Sequence, residues 1–362
     1  MRRVLIANRG EIALRAVRVC RRLGLESVAV YSSADANSPH RWAADHAICI
    51  GPPPPKASYL NAAALIEVAV ASQCDAVYPG YGFLAENNSF AQRCAAADLV
   101  FIGPDCESIA RMGAKVAARE TAAAAGVPVV PGSKEGFTSA PTESIAREIG
   151  FPLLLKASGG GGGRGMRIVT GAEDFGAQFE QASAEAQAAF GNAEIYLERF
   201  FPQVRHVEIQ VFGDRHGNCV HLGERDCSVQ RRHQKLVEEA PSPALDEPTR
   251  RRMAEAATAL IRALNYVNAG TVEFIYDPTR GQFFFIEMNT RIQVEHPVTE
   301  MVTGTDLVAE QFRVAAGERL SFGSTFAEGG AAIEFRLVQQ PEFLRGEVHT
   351  RWVEERFRTA VN

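Results

Sequence analysis

Several things are scarce in this sequence, and each absence excludes a class. Its 362 residues include seven cysteines, at 20, 49, 74, 94, 106, 219 and 227, but no two stand as CxxC. Zinc ribbons and disulfide frameworks are therefore not expected. The apolar runs fall far short of the roughly 20 residues a membrane helix needs. The first ten residues hold only a short apolar stretch, Val4–Ala7, too brief for a signal peptide. A reducing, cytoplasmic setting and no membrane partner are expected. There is no excess of basic charge either: the net charge is −5 and the isoelectric point about 6.0, against nonspecific nucleic-acid binding. What remains is an ordinary globular composition, 46% hydrophobic and 22% charged, in a chain long enough for two or three domains.

The first third alternates strand and helix signals. Strands are expected at 4–7, 27–31, 47–50, 76–78 and 99–102, with helices at 11–23, 59–71 and 90–97. This βαβ rhythm predicts a parallel sheet flanked by helices, with ligands beyond the carboxyl ends of the strands. After Lys115 an alanine-rich helix is expected. The proline-bounded stretch 127–132 reads as a strand leading into a second region, where strands at 152–156, 166–169, 195–200, 207–212 and 220–223 look antiparallel. Asp277–Gly281 reads as the turn of a hairpin joining 271–276 to 282–288. The second region is thus α+β, and no internal repeat is evident.

Chemistry concentrates in four places. Residues 156–166 read KASGGGGGRGM. Gly160, Gly162 and Gly165 satisfy GxGxxG, but strand-like residues follow instead of a helix. A glycine-rich hairpin is the better reading; its backbone N–H groups can lie against phosphates, with Lys156 aimed at them. A flexible linker is the plain alternative, but linkers rarely carry strands tight on both sides. A Walker A loop is excluded, since no Gly-Lys-Ser/Thr follows. Glu273 and Glu287 stand on the two arms of the expected hairpin, with Asn289 two residues on; three hard oxygens on one face suit Mg²⁺. Isolated, they would be surface carboxylates, but the apolar run 283–286 argues that Glu287 is buried.

Arg291, Gln293 and Glu295 alternate, so in an extended segment they share a face. A fixed cation, an amide and a carboxylate there could hold a small planar anion and deprotonate it. His296 falls on the other face before a proline, which suits a structural role. The charge-dense run 224–235 lies between two apolar strands and is expected to cross a site. Cys227 within it is read as an inert thiol.

With these motifs assembled, the chain resembles biotin carboxylase, the ATP-grasp component of biotin-dependent carboxylases. The matching strings are ANRGEIALR (7–15), PGYGFLAEN (79–87), KASGGGGGRGM (156–166), RHVEIQV (205–211), ERDCSVQRRHQKLVEEAP (224–241), FIEMNTRIQVEHPVTE (285–300) and, more weakly, IEFR (333–336). The resemblance implies an α/β plus α+β architecture. A Rossmann-like, parallel-sheet N-terminal domain (1–114) would precede an ATP-grasp domain (115–320), whose glycine-rich lid covers about 131–203, and a remnant of a C-terminal lobe (321–362). It implies ATP-dependent carboxylation of carrier-bound biotin by bicarbonate through carboxyphosphate, the first half-reaction of an acyl-CoA carboxylase. Lys115 and Lys156 would hold ATP phosphates under the Gly159–Gly165 lid, and Gly161, Gly162, Gly163, Gly165 and Met166 would belong to the ATP site. Glu198, Arg199 and Phe201 would line the adenine pocket, with His206 near the ribose. Gln230, His233 and Lys235 would contact nucleotide and bicarbonate. Glu273, Glu287 and Asn289 would hold Mg²⁺, with Mn²⁺ an alternative. Arg291, Gln293 and Val294 would seat bicarbonate, Glu295 would be its general base, and Arg336 would stabilise the biotin enolate.

The match breaks after Arg336, where the family continues for roughly 100 residues of third lobe. Residues 337–346 run directly into what looks like the family's extreme end. Lower stability and weakened homodimerisation are expected, because strands without neighbours expose unpaired edges. No Ala-Met-Lys-Met string is present, so biotin is expected on a separate carrier protein or another part of a longer polypeptide, with a carboxyltransferase as further partner. Two alternatives stand: another ATP-grasp ligase, disfavoured by RIQVEHP, and a nucleotide-binding but catalytically impaired fragment.

Overall fold

Arg3–Ile6 (β1) is buried on both faces. Val4 and Ile6 pack one way, Leu5 the other. Such a strand belongs inside a parallel sheet covered on both sides. After it come α1 (Gly10–Arg22), β2 (Glu26–Ser32), α2 (Pro39–Ala43), β3 (His46–Gly51), α3 (Ala62–Ala71), β4 (Ala76–Tyr78), α4 (Asn88–Ala96) and β5 (Val100–Phe101). The sheet order is β3-β2-β1-β4-β5, every pair parallel. Ile12 and Ala16 of α1, and Val308 and Phe312 from far along the chain, cover one face; Leu65, Ala69 and Phe90 cover the other. Asn8, past the end of β1, donates to the carbonyls of Pro79 and Tyr81, both at 2.7 Å. It ties the two turns at the point where strand order reverses.

The computed structural model describes residues 1–159, 165–202, 204–231, 234–326 and 330–335. Gly161, Gly162, Gly163, His233 and Arg336, with the rest of the tail to 362, lie outside them. Among the described residues no helix is long and apolar enough to cross a membrane.

After α5 (Cys106–Gly113) and α6 (Lys115–Ala124), the 127–132 segment forms no regular strand, contrary to expectation. Pro128 and Pro131 lack the N–H that a ladder needs. Their carbonyls instead accept single bonds, from Phe285 N and Arg199 N, each belonging to a different sheet. Next come α7 (Glu143–Ile149), β6 (Leu153–Ala157), β7 (Met166–Val169), α8 (Phe175–Phe190) and β8 (Ile195–Arg199). They form an antiparallel sheet, β7-β6-β8, under α8, whose Phe175, Phe179, Ala182 and Ala186 face Leu153, Leu155 and Leu197. The glycine-rich run does join a hairpin, with Lys156 paired to Met166. Gly165 (φ +74°) is required there: a Cβ would meet Ala157 Cβ and Phe190 at 2.9 Å.

The largest sheet comprises β9 (Arg205–Gly213), β10 (Cys219–Arg231), β11 (Gln234–Ala240), β12 (Asn268–Asp277), β13 (Gln282–Asn289) and β14 (Ala332–Phe335), ordered β13-β12-β9-β10-β11-β14 and antiparallel. The charged run from Glu224 begins as ladder: Glu224, Arg225 and Asp226 pair with Ile209, Glu208 and Val207. The β12–β13 hairpin closes as expected at Asp277 and Gln282. Val207, Ile209, Val211, Val272 and Phe274 pack on α9 (Glu247–Ala263) through Met253, Leu260 and Ile261. Alternation sends Glu208, Gln210, Thr271 and Glu273 to the opposite face. That face is closed by α10 (His296–Thr303), while α11 (Leu307–Ala315) returns to the first sheet.

Candidate functional site

Strand register alone assembles the centre. Glu287 pairs with Glu273, Glu273 with Glu208, and Glu208 with Arg225, so four charged residues form a row across four adjacent strands. Like charges side by side in a sheet repel. The Lys235 ammonium, from β11, relieves them: it lies 2.5 Å from Glu208, 3.1 Å from Glu273 and 2.8 Å from Glu295. Burial would depress the Lys235 pKa, but Glu208 and then Glu273 outweigh it and hold it well above the usual range. Burial would likewise raise Glu273, but Lys235 and His206 keep it well below the usual carboxylate range.

His206 lies 2.7 Å from Glu273 by Nε2 and 2.6 Å from the Gln230 amide nitrogen by Nδ1. That nitrogen also donates to Cys227 O at 2.7 Å. A carbonyl only accepts, so Gln230 presents its NH₂ to both, Nδ1 accepts, and Nε2–H donates to Glu273. Cys227 is fully buried, and burial raises its thiol pKa well above the ordinary value, consistent with an inert role.

Arg291, Gln293 and Glu295 do not share one face of an extended segment, as alternation had implied. β13 stops at Asn289, and Glu295 is the N-cap of α10, with Pro297 in its first turn, where a missing N–H costs nothing. The three side chains still converge. Gln293 donates to Glu273 at 3.2 Å, Glu295 accepts from Lys235, and Arg291 donates to Asn289 Oδ1 at 2.8 Å and to Glu86 at 2.7 Å. Val294 is half-buried beside them, and His296 is buried, its Nδ1 2.7 Å from Gln293 O.

A divalent cation fits part of the expected set. Glu287 is exposed in the cleft, contrary to the burial inferred from the phenylalanine run. Its side chain points away from the core that takes Phe283 and Phe285. Among the described residues it makes no hydrogen bond or ion pair; desolvation by the crowded wall, and then Glu273, raise its pKa. A carboxylate destabilised in this way welcomes a cation. Asn289 is turned otherwise: its NH₂ donates to Glu273 at 2.7 Å, and its oxygen is engaged by Arg291.

On the lid side, Lys156 pairs with Glu198, which Arg119 also holds at 3.0 Å. Lys115, at the start of α6, reaches Ala157 O at 3.4 Å; burial and then Lys156 lower its pKa. Arg199 is exposed, 5.9 Å from the ring of Phe201, which stacks on Phe284 at 5.1 Å. Met166 faces Lys156 across the ladder. Arg119, Glu86, Glu208, Gln210 and Arg225 had no assigned role from sequence. The signal for Glu208 and Gln210 was present: two polar residues alternating with Val207, Ile209 and Val211 inside a strand.

Two family models match the chain: "Biotin carboxylase, N-terminal domain" over residues 1–109, and "Carbamoyl-phosphate synthase L chain, ATP binding domain" over 114–322. Biotin carboxylase 1 of Bacillus subtilis is 52% identical over 340 residues, 93% of this chain and 75% of that protein. The Campylobacter jejuni biotin carboxylase, solved as a β,γ-ATP complex, superposes with a TM-score of 0.88 at 46% identity, covering 92% of this chain and 75% of that one. The biotin carboxylase domain dimer of Hydrogenobacter thermophilus 2-oxoglutarate carboxylase, solved with MgADP, ADP and bicarbonate, gives 0.85 at 47%, covering 92% and 74%. With the buried carboxylate–lysine row in place on this fold, the chain belongs to the biotin carboxylases, ATP-dependent ligases that carboxylate biotin with bicarbonate.

Proposed function

We propose that Glu295 is the base that takes the bicarbonate proton, and that Arg291, Gln293 and Val294 seat the anion beside it. The observation carrying this reading is the buried Glu295 carboxylate hydrogen-bonded to Lys235 within the Glu208–Glu273 row. Proton transfer to Glu295 leaves carbonate, one oxygen of which attacks the γ-phosphorus of ATP as the bond to ADP breaks, forming carboxyphosphate. Lys115 and Lys156 offset charge on the transferred group, and Gly161, Gly162, Gly163, Gly165 and Met166 serve ATP binding. Glu198, Arg199, Phe201, His206, Gln230 and His233 serve nucleotide binding. Glu273 and Glu287 would hold Mg²⁺ or Mn²⁺, with Asn289 joining once its amide turns; the ion would neutralise phosphate charge. Carboxyphosphate decomposes to CO₂ and phosphate. Phosphate removes the ureido proton of biotin, whose anion attacks CO₂ while Arg336 stabilises the enolate oxygen.

This reading divides the chain into domains at 1–114, 115–320 (lid about 131–203) and 321–362. Biotin would come on a carrier protein or domain, with a carboxyltransferase taking the carboxyl group onward. A homodimer is part of the reading, as in the domain dimer of the Hydrogenobacter thermophilus relative. A reducing, cytoplasmic compartment fits the seven cysteines, all free thiols. A nucleotide-binding fragment without activity is not favoured, since the buried network is intact and its half-identical relatives are carboxylases.

Glu295→Gln tests the assignment. Bicarbonate-dependent ADP release should fall by about 100-fold or more, with ATP affinity changed less than about threefold. Retained bicarbonate-dependent release would remove Glu295 from the role of base.

A further inference from the structure

We infer that Arg225 is a positioning residue that sets the orientation of the bicarbonate seat through Gln293 and Glu208. The inference rests on the assignment of Gln293 and Glu295 to bicarbonate. Arg225 has no solvent exposure, yet all five of its N–H donors are used. Nε donates to Glu208 Oε1 at 2.6 Å. Nη1 donates to Gln210 Oε1 and to Thr299 Oγ1, both at 2.8 Å. Nη2 donates to Gln293 Oε1 at 2.9 Å and to Thr271 Oγ1 at 3.4 Å. The acceptors come from β9, β12, α10 and the segment between β13 and α10.

Two of these bonds act on the site. With its oxygen committed to Arg225, Gln293 can only turn its NH₂ toward Glu273 and the cleft. Glu208 divides its oxygens between Arg225 and Lys235, so Arg225 limits how strongly Glu208 draws Lys235 away from Glu295. Stability alone does not call for such a group, since apolar side chains often replace buried ion pairs at no loss. A lysine cannot substitute: three donors on a flexible stem do not reproduce a planar five-donor fork.

Steady-state KM values for bicarbonate and ATP test this in Arg225→Lys, Thr299→Val and Gln293→Ala, each checked for a cooperative thermal transition. Arg225→Lys should raise the bicarbonate KM about tenfold or more while ATP KM stays within about twofold. Thr299→Val, which removes one acceptor at nearly constant shape, should move bicarbonate KM the same way by a smaller factor, and it carries the test if Arg225→Lys does not fold. In a Gln293→Ala background, Arg225→Lys should add less than about twofold, as expected for residues acting in series. Unchanged bicarbonate KM in both variants, or ATP KM rising in step with it, overturns the inference. If Gln293→Ala itself leaves bicarbonate KM unchanged, the bicarbonate assignment falls. If Gln293→Ala raises it and the Arg225 and Thr299 variants do not, the positioning role alone falls.

Discussion

His296 sits one residue from the proposed base, buried, with burial driving its imidazole pKa down to about 4 from an ordinary 6.5. The folded protein therefore refuses a proton that the unfolded chain accepts. Stability from this residue is complete above pH 6.5 and is lost as pH falls toward 4, by about 3 kcal/mol in all. Urea denaturation at pH 7.0 and pH 4.5 should show a smaller loss in His296→Gln than in the parent; identical losses would contradict the assignment. The order His-Pro after an alternating stretch pointed to a structural histidine, and its burial agrees. The same alternation misled for Arg291, Gln293 and Glu295, because it presumes a strand, whereas Pro297 favours the opening turn of a helix. The residue types were informative; the backbone carrying them was not encoded in the spacing.

At the scale of elements, the β9–β12 pairing positions Glu208 against Glu273, and its far end is packed to the limit. A Cβ at Gly213 would approach the Tyr266 carbonyl oxygen to 1.9 Å, so strand or turn must move. Gly213→Ala should cost about 3 kcal/mol or more. Gly217→Ala, at φ +85° in open space, should cost only about 1 kcal/mol from the left-handed backbone. Chemical denaturation of the two variants checks the ranking, and equal losses would refute it. The β12–β13 hairpin was legible because alternation and turn residues agree. α8 was not: apart from Phe175 and Phe179 its buried face is built from alanine and serine, and alanine also fills its exposed face, so the period is faint. The charged strand from Glu224 was hidden for the opposite reason, since its polar residues are buried by one another and not by apolar neighbours.

Across the whole molecule, the N-terminal sheet does more than flank the site. Glu86, beyond β4, accepts from Arg291 at 2.7 Å and from Thr290 N at 3.2 Å, while α11 packs Phe312 back under β1. Glu86→Ala should raise the bicarbonate KM roughly three- to tenfold, with little change in melting temperature because the pair is partly exposed. An unchanged KM would show that Arg291 needs no help from the first sheet. Nothing in the PGYGFLAEN string marks Glu86 as a partner of a residue 205 positions away, since sequence pattern reports faces of elements and not contacts between them. The family, by contrast, was legible in motifs spread from one end of the matched region to the other. The most direct test of the whole account is the rate of ADP release by the purified chain with MgATP, with and without bicarbonate and free biotin. The account predicts release that requires bicarbonate and is stimulated by biotin. ATP binding with no bicarbonate-dependent release would contradict it.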